Sequence, residues 1–168
     1  ASWGGGLQCL EPLSGTFETY TSNNSALLEN NVTSLCWVDD NTLFFGTASQ
    51  GVGTMDMRTR EIKKIQGQSD SMKLSNDAVN HVYKDSRGLV WIATREGLNV
   101  YDTRRHMFLD LSPVAEAKGN FIAAITEDQE RNMWVSTSRK VIRVTVASDG
   151  KGSYLFDSRA YNSADGFQ

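Results

Sequence analysis

The chain has 168 residues, of which 39% are hydrophobic and 22% charged, with a formal net charge of −3. That balance describes a globular domain; it lacks the basic excess a nucleic-acid binder needs, and no apolar run is long enough to cross a bilayer. Two prolines against fourteen glycines suit short strands joined by tight turns, so the reading is all-β.

Taken in order, Leu7 to Leu10 and Thr16 to Tyr20 read as strands around an Glu11–Gly15 turn, and Thr21 to Asn31 is a polar connection. A strand-rich unit follows over 32–66, closing with a strand over Glu61–Ile65, and Gly67 to Asp77 is a second polar link. In the unit 78–111, Val79 to Lys84 alternates, Asp85-Ser86-Arg87-Gly88 turns, and Leu89 to Thr94 is apolar and β-rich. Arg95-Glu96-Gly97 turns again, Leu98 to Tyr101 resumes, and His106 to Leu109 closes the unit. Ser112 to Gly119 links onward, with one helical turn over Val114–Lys118. The unit 120–158 has its third strand over Val141–Val146, a turn-rich insertion over Ala147–Gly152 and a fourth strand over Ser153–Phe156; 159–168 is a linker.

These units are copies of one another. Trp91 matches Trp134, with Phe44 in the first copy, and Asp85 and Asp128 each stand six residues before their tryptophan. Thr47, Thr94 and Thr137 match at steps of 47 and 43 residues, and Gly51, Gly97 and Lys140 open the third strand. The first copy is one residue shorter in its first hairpin, at Val38-Asp39-Asp40-Asn41. An antiparallel repeat of about 40–45 residues with four short strands is a propeller blade. Segment 1–20 aligns as the second half of a blade, Gly6-Leu7 with Gly97-Leu98 and Ser2 with Thr94. The sequence therefore predicts three full blades and a half. Closed rings need about four to eight blades, so the chain reads as a fragment of a larger propeller whose open blade faces seek partners, giving self-association.

KDSRGLVWIATREGLNVYD resembles the regulator-propeller repeat of the sensor region of hybrid two-component histidine kinases from Bacteroides-type bacteria. EDQERNMWVSTSRKVIRV is a weaker match, WVDDNTLFFGTASQGVGTMD departs further, and the final stretch from Tyr161 resembles the linker that precedes a blade. The resemblance implies a periplasmic sensor that binds an oligosaccharide and signals through a membrane helix to a cytoplasmic kinase. Signal peptide, membrane helix and kinase all fall outside this sequence, which on that reading is an excised piece that meets the membrane only through segments not included here.

No catalytic constellation stands out. Phe44, Trp91 and Trp134 read as inter-blade core, Asp85 and Asp128 as turn formers that bond backbone amides, and Thr47, Thr94 and Thr137 as strand-end hydroxyls that satisfy backbone. His81 and His106 lack companions at metal-ligand spacing, and His81 reads as a half-buried strand residue. No metal or cofactor is implied. Cys9 and Cys36 sit on different blades, where a disulfide is disfavoured by reach. Trp3-Gly4-Gly5-Gly6 is a turn, without the following helix that a phosphate loop requires. The turns between second and third strands crowd one rim, and there Trp3, Gln50, Arg95, Glu96 and Arg139 form the candidate ligand set. An aromatic face with planar and charged hydrogen-bonding groups suits a sugar, and arginine grips a sulfate or carboxylate in bidentate fashion. Two rivals stand beside sensing. A polysaccharide lyase or glycosidase needs paired carboxylates in one cleft, whereas most acidic residues here fall on repeated turns. A protein-binding scaffold needs an apolar rim patch, and the repeats lack the Gly-His and Trp-Asp signature of the WD type.

Overall fold

The computed structural model of the chain describes residue 1 and residues 3–166, so the alignment of Ser2 and the last two linker residues lie outside the described part. β1 (Leu7–Glu11) and β2 (Thr16–Tyr20) form a two-stranded antiparallel sheet. Three four-stranded sheets follow, each a meander in which every strand pairs with its sequence neighbour. Blade one is β3 (Val32–Trp37), β4 (Thr42–Thr47), β5 (Val52–Asp56) and β6 (Ile62–Lys64). Blade two is β7 (Val79–Lys84), β8 (Leu89–Thr94), β9 (Gly97–Asp102) and β10 (Met107–Phe108). Blade three is β11 (Ile122–Glu127), β12 (Met133–Thr137), β13 (Val141–Ser148) and β14 (Tyr154–Tyr161). Single 3₁₀ turns stand at Ala115–Ala117 and Ser163–Asp165. The chain is an all-β piece of a propeller.

The two-residue period of a strand sends alternate side chains to opposite faces, and in blade two both faces are covered. Leu89, Trp91 and Ala93 of β8 join Ile122, Ile125, Met133, Val135 and Phe156 of blade three in one core. Val90 and Ile92 pack the other way, against Phe44 and Val52 of blade one. A third core joins Leu7 and Tyr20 of the partial sheet to Leu43, Phe45 and Met55 of blade one. Every residue of β8 and β9 is consequently buried. Burial of one such aliphatic or aromatic side chain contributes roughly 1.5–3 kcal/mol, so the inter-blade cores are what holds the stack together.

The first strands of successive blades lie side by side, but no ladder joins them. Each breaks register at one residue, between Val32 and Ser34, Val79 and His81, and Ile122 and Ala124. The displaced residue turns its side chain to the next blade: Thr33 Oγ1 donates to the Val79 carbonyl at 2.7 Å, and Asn80 Nδ2 to the Ile122 carbonyl at 2.7 Å. One residue on, the direction reverses, with Ser34 Oγ accepting from the Val82 amide at 3.0 Å and His81 Nδ1 from the Ile125 amide at 3.2 Å. Two hydrogen bonds thus stitch each seam. His81 is half-buried, and burial pulls its pKa below the ordinary value.

Some elements differ from the sequence expectation. β13 and β14 pair eight residues with eight, so the insertion predicted over Ala147–Gly152 gives way to a five-residue turn over 149–153, and residues 159–161 are strand rather than linker. The reason is Asp149, whose Oδ1 accepts the Lys151 and Ser153 amides at 2.8 Å each and closes the turn tightly, with Gly150 and Gly152 at positive φ. β10 is shorter than predicted because His106 takes a left-handed conformation, φ 54°, and belongs to the turn. Gly97 does begin its strand, whereas Gly51 and Lys140 stand one residue ahead of theirs. Cys9 and Cys36 are free and pack against two different cores, on either side of blade one.

Candidate functional site

The rim that carries the candidate ligand residues is built by the repeated threonines. Thr47 Oγ1 donates to the Gly51 carbonyl at 2.7 Å and accepts the Gln50 amide at 3.0 Å. Thr94 Oγ1 does the same with Gly97 at 2.8 Å and Glu96 at 3.2 Å, and Thr137 Oγ1 with Lys140 at 3.2 Å and Arg139 at 3.2 Å. Each threonine therefore fixes the backbone of the turn from which Gln50, Glu96 or Arg139 projects. Glycine is needed beside two of these turns, where the chain meets the next inter-blade link. Gly51 at φ 77° donates to the Asp77 carbonyl at 2.9 Å, and a Cβ on Gly97 would stand 2.7 Å from the Ala117 carbonyl oxygen.

Trp3, Gln50, Arg95, Glu96 and Arg139 are all exposed, Trp3 at 78%. Each sits on the turn of its own sheet, and among the described residues no hydrogen bond or ion pair joins any two of them. Glu96 alone lines a cavity of about 500 Å³ on this rim, formed between the links 70–75 and 109–112, the strand β9, and residues 117–119. Its wall includes Lys73, Ser75, Asn99, Asp110 and Lys118, which the sequence reading did not single out. Asn99 was discoverable, as an amide between the apolar Leu98 and Val100 of a buried strand. Its Oδ1 accepts the Ser75 amide at 3.1 Å, its Nδ2 donates to Ser75 Oγ at 2.8 Å, and Ser75 Oγ meets Thr94 Oγ1 at 3.1 Å. This chain of polar contacts pins the 70–75 link to the blade and shapes the cavity. Asp110 accepts from the backbone and hydroxyl of Ser112, which hold its carboxyl below the ordinary range.

At the opposite rim the repeated aspartates tie the turns to the tryptophans. Asp85 Oδ1 accepts the Arg87 and Leu89 amides at 2.8 and 3.0 Å, and its Oδ2 accepts Trp91 Nε1 at 2.9 Å. Asp128 repeats the pattern with the Glu130 and Asn132 amides, both at 2.9 Å, and Trp134 Nε1 at 2.7 Å; the indole bond leads the causes that lower its pKa. Asp39 in the shortened hairpin accepts the Asn41 and Thr42 amides, but its ring neighbour Phe44 has no N–H to offer. Trp91 and Phe44 are fully buried. Trp134 is only half-buried, because it points to the outer face of blade three, where it stacks on Tyr161 with ring centroids 5.9 Å apart. Among the described residues no group of three or more His, Cys, Asp or Glu could hold a metal ion.

Residues 73–96 match the family model described as two component regulator propeller. The extracellular domain of BT3049 from B. thetaiotaomicron, assigned to a hybrid two component system, is similar over 89% of this chain at 25% identity, with a TM-score of 0.65. The extracellular domain of BT4673 from the same organism shares the fold at 20% identity over 90% of the chain, with a TM-score of 0.69. This chain spans 19% and 20% of those two chains. Among curated proteins none matches. The chain therefore carries the two component regulator propeller repeat, and its blades are similar to a stretch of the extracellular domains of such systems.

Proposed function

We propose that this chain is part of an extracytoplasmic sensor propeller that recognises an oligosaccharide and passes the event, through other parts of a longer protein, to a cytoplasmic histidine kinase. The observation that carries the reading is the cavity of about 500 Å³ between the inter-blade links, whose wall sets Lys73, Asn99, Glu96, Asp110 and Lys118 around a space of ligand size. Alternating donors and acceptors of this kind match the hydroxyls of a sugar, and exposed Trp3, Arg95, Gln50 and Arg139 extend the same rim. Periplasmic placement fits a ligand too polar to cross a membrane. Signalling requires that the glycan bind one packing of the propellers better than another.

Sensing is favoured over hydrolysis at Asp110 of the cavity wall, whose carboxyl the Ser112 amide and hydroxyl hold below the ordinary range, the opposite of what a glycosidase acid needs. A second reading, self-association, rests on exposed Leu10, Phe17, Leu35 and Trp37. Leu35 and Trp37 lie with Leu7 and Cys9 around an apolar groove of about 130 Å³ beside the partial sheet. Light scattering on a size-exclusion column tests it, a monodisperse monomer being the result against it.

The sensing reading is tested by calorimetric titration with a panel of neutral oligosaccharides, using Lys73→Ala/Glu96→Ala as the paired variant. Binding by the parent chain and a loss of about tenfold or more in the variant, with its melting temperature unchanged, is the expected result. Equal affinity in the two would remove the cavity from the function.

A further inference from the structure

The opposite rim holds a feature that the blade pattern leaves unexplained. β13 and β14 are eight residues each, while the outer hairpins of the other blades pair over two or three residues. The extension turns Val146 and Tyr154 back against the core shared with blade two. It forms one wall of two cavities, of about 590 and 170 Å³, that both include Arg87 and Tyr154. Around them stand four arginines, Arg87, Arg104, Arg105 and Arg131, and two carboxylates, Asp102 and Glu130. Within the lining itself the arginines outnumber the carboxylates.

Three carboxylates near these arginines, Asp85, Asp102 and Glu127, are already engaged. Asp102 is buried and its Oδ1 accepts the Arg104 and Arg105 amides at 2.9 and 3.2 Å. Arg87 is neutralised by Asp85 at 3.1 Å and Glu127 at 3.7 Å, with its side chain 8% exposed. Among the described residues the Arg131 guanidinium uses only its Nε, which donates to Ser86 Oγ at 2.9 Å. Arg104 and Arg105 are exposed, and among the described residues their guanidinium groups make no hydrogen bond or ion pair; Arg105 does lie close enough to Asp149 to help lower its pKa. Glu130 is the exposed carboxylate of the lining. Open planar forks beside a phenol ring and the hydroxyl of Ser148 match a ring that bears an oxyanion, while Glu130 would accept from a neighbouring hydroxyl.

We infer that the groove between the turns of blade two and the long hairpin of blade three is a binding site for an anionic oligosaccharide, one carrying sulfate or carboxylate groups. The site deepens the glycan-sensing reading and rests on it for the class of ligand, yet it lies at the other end of the strands from Glu96. A recessed groove with an aromatic side favours a sugar over a flat anionic membrane.

The test is calorimetric titration of the parent chain with maltotetraose, with sulfated maltotetraose, and with sodium sulfate at the same concentration, plus co-sedimentation with phosphatidylglycerol vesicles. The sulfated sugar alone is expected to bind through the groove, with affinity falling as salt is raised. Arg104→Ala/Arg105→Ala is expected to lower that affinity about tenfold or more, and Arg104→Lys/Arg105→Lys, which keeps charge but loses the planar fork, to fall between. Lys63→Ala/Lys64→Ala, on the exposed outer strand of blade one, is expected to change it less than about twofold. The inference is overturned if the Arg104/Arg105 variants bind as the parent does, if the Lys63/Lys64 variant loses as much, or if sodium sulfate displaces the sugar at equal concentration. Vesicle binding without sugar binding overturns it equally. The two readings fail separately: neutral sugars that still depend on Lys73 and Glu96 keep the cavity while the groove is lost.

Discussion

The seam between blades one and two and the seam between blades two and three use the same stitches but differ in what surrounds them. At the first, Phe44 faces Tyr101 with centroids 5.9 Å apart, and the hairpin of blade one is short. At the second, Trp91 meets Phe156 edge-on at 5.7 Å, its indole N–H is held by Asp85, and Arg87 reaches across to Glu127 and to the Arg131 carbonyl. Ser86 adds its amide and hydroxyl to Glu127, at 2.8 and 2.5 Å. A single extra residue in the hairpin explains the contrast. It places an aspartate six positions before the ring rather than five, so that the carboxylate reaches an indole, and only then is a tryptophan satisfied in the core. The first seam is a hydrophobic contact with two stitches, whereas the second adds a buried polar network.

The comparison breaks most visibly at Asp85. Asp85→Ala leaves the Trp91 N–H unpaired and Arg87 with one remaining acidic partner, and is expected to cost about 3–5 kcal/mol in urea unfolding. Asp39→Ala, its counterpart at the first seam, is expected to cost about 1 kcal/mol, since only turn amides lose a partner. Equal losses would show that the network is not what distinguishes the seams.

Exchanging the ring is the next test. Phe44→Trp puts an indole where residue 38 is valine and no carboxylate is in register. Overpacking and an unpaired N–H are expected to lower stability by about 1–3 kcal/mol. A neutral result would mean that the fully buried site at Phe44 has room and a partner to spare.

The stitches sharpen the comparison at smaller scale. Thr33→Val and Asn80→Leu each leave one buried carbonyl without its donor, and each is expected to cost about 1–2 kcal/mol. Hydrogen exchange should rise at Val82 for the first and at Ile125 for the second, and a rise at both seams in either variant would show that they open together. Acid separates the seams in another way. His81 has its pKa depressed in the fold, so its contribution is complete above the unfolded value of 6.5 and is lost as pH falls through the folded one. The lowered aspartates follow later: Asp56, held at about 2 first by the Thr59 amide, stabilises fully above 3.8 and loses its effect as pH approaches 2. The seam between blades two and three is therefore expected to loosen first on acidification, read by exchange at Ile125 against Val82.

Much of this architecture was legible in the residues. The alignment of Phe44 with Trp91 and Trp134, and of three threonines, gave the blades and the turns, because strand period and turn chemistry are local. The stitches were not legible: Thr33 and Asn80 act on carbonyls more than forty residues away, and only a break in register aims them there. His81 looked like an ordinary strand residue for the same reason. The long hairpin of blade three was misjudged because glycines and an aspartate imply a turn without saying how short it is. Of the candidate ligand residues, Glu96 lines the cavity, whereas most of the rest of that wall comes from links whose polar composition carries no periodic signal.

Because neighbouring blades share no ladder hydrogen bonds, each blade is a complete sheet that meets the next through a matching apolar face, a donor and an acceptor at the bulge, and bonds from turns and links such as the Gly51 amide to the Asp77 carbonyl and Ser86 to Glu127. Duplicating or deleting such a unit leaves every four-stranded ladder intact. Sequence drift within one unit is tolerated as long as its two side-chain bonds survive, by hydroxyl in one copy and by amide or imidazole in another. The fold can thus change its number of repeats, and the stiffness of each joint, without relearning how to make a sheet.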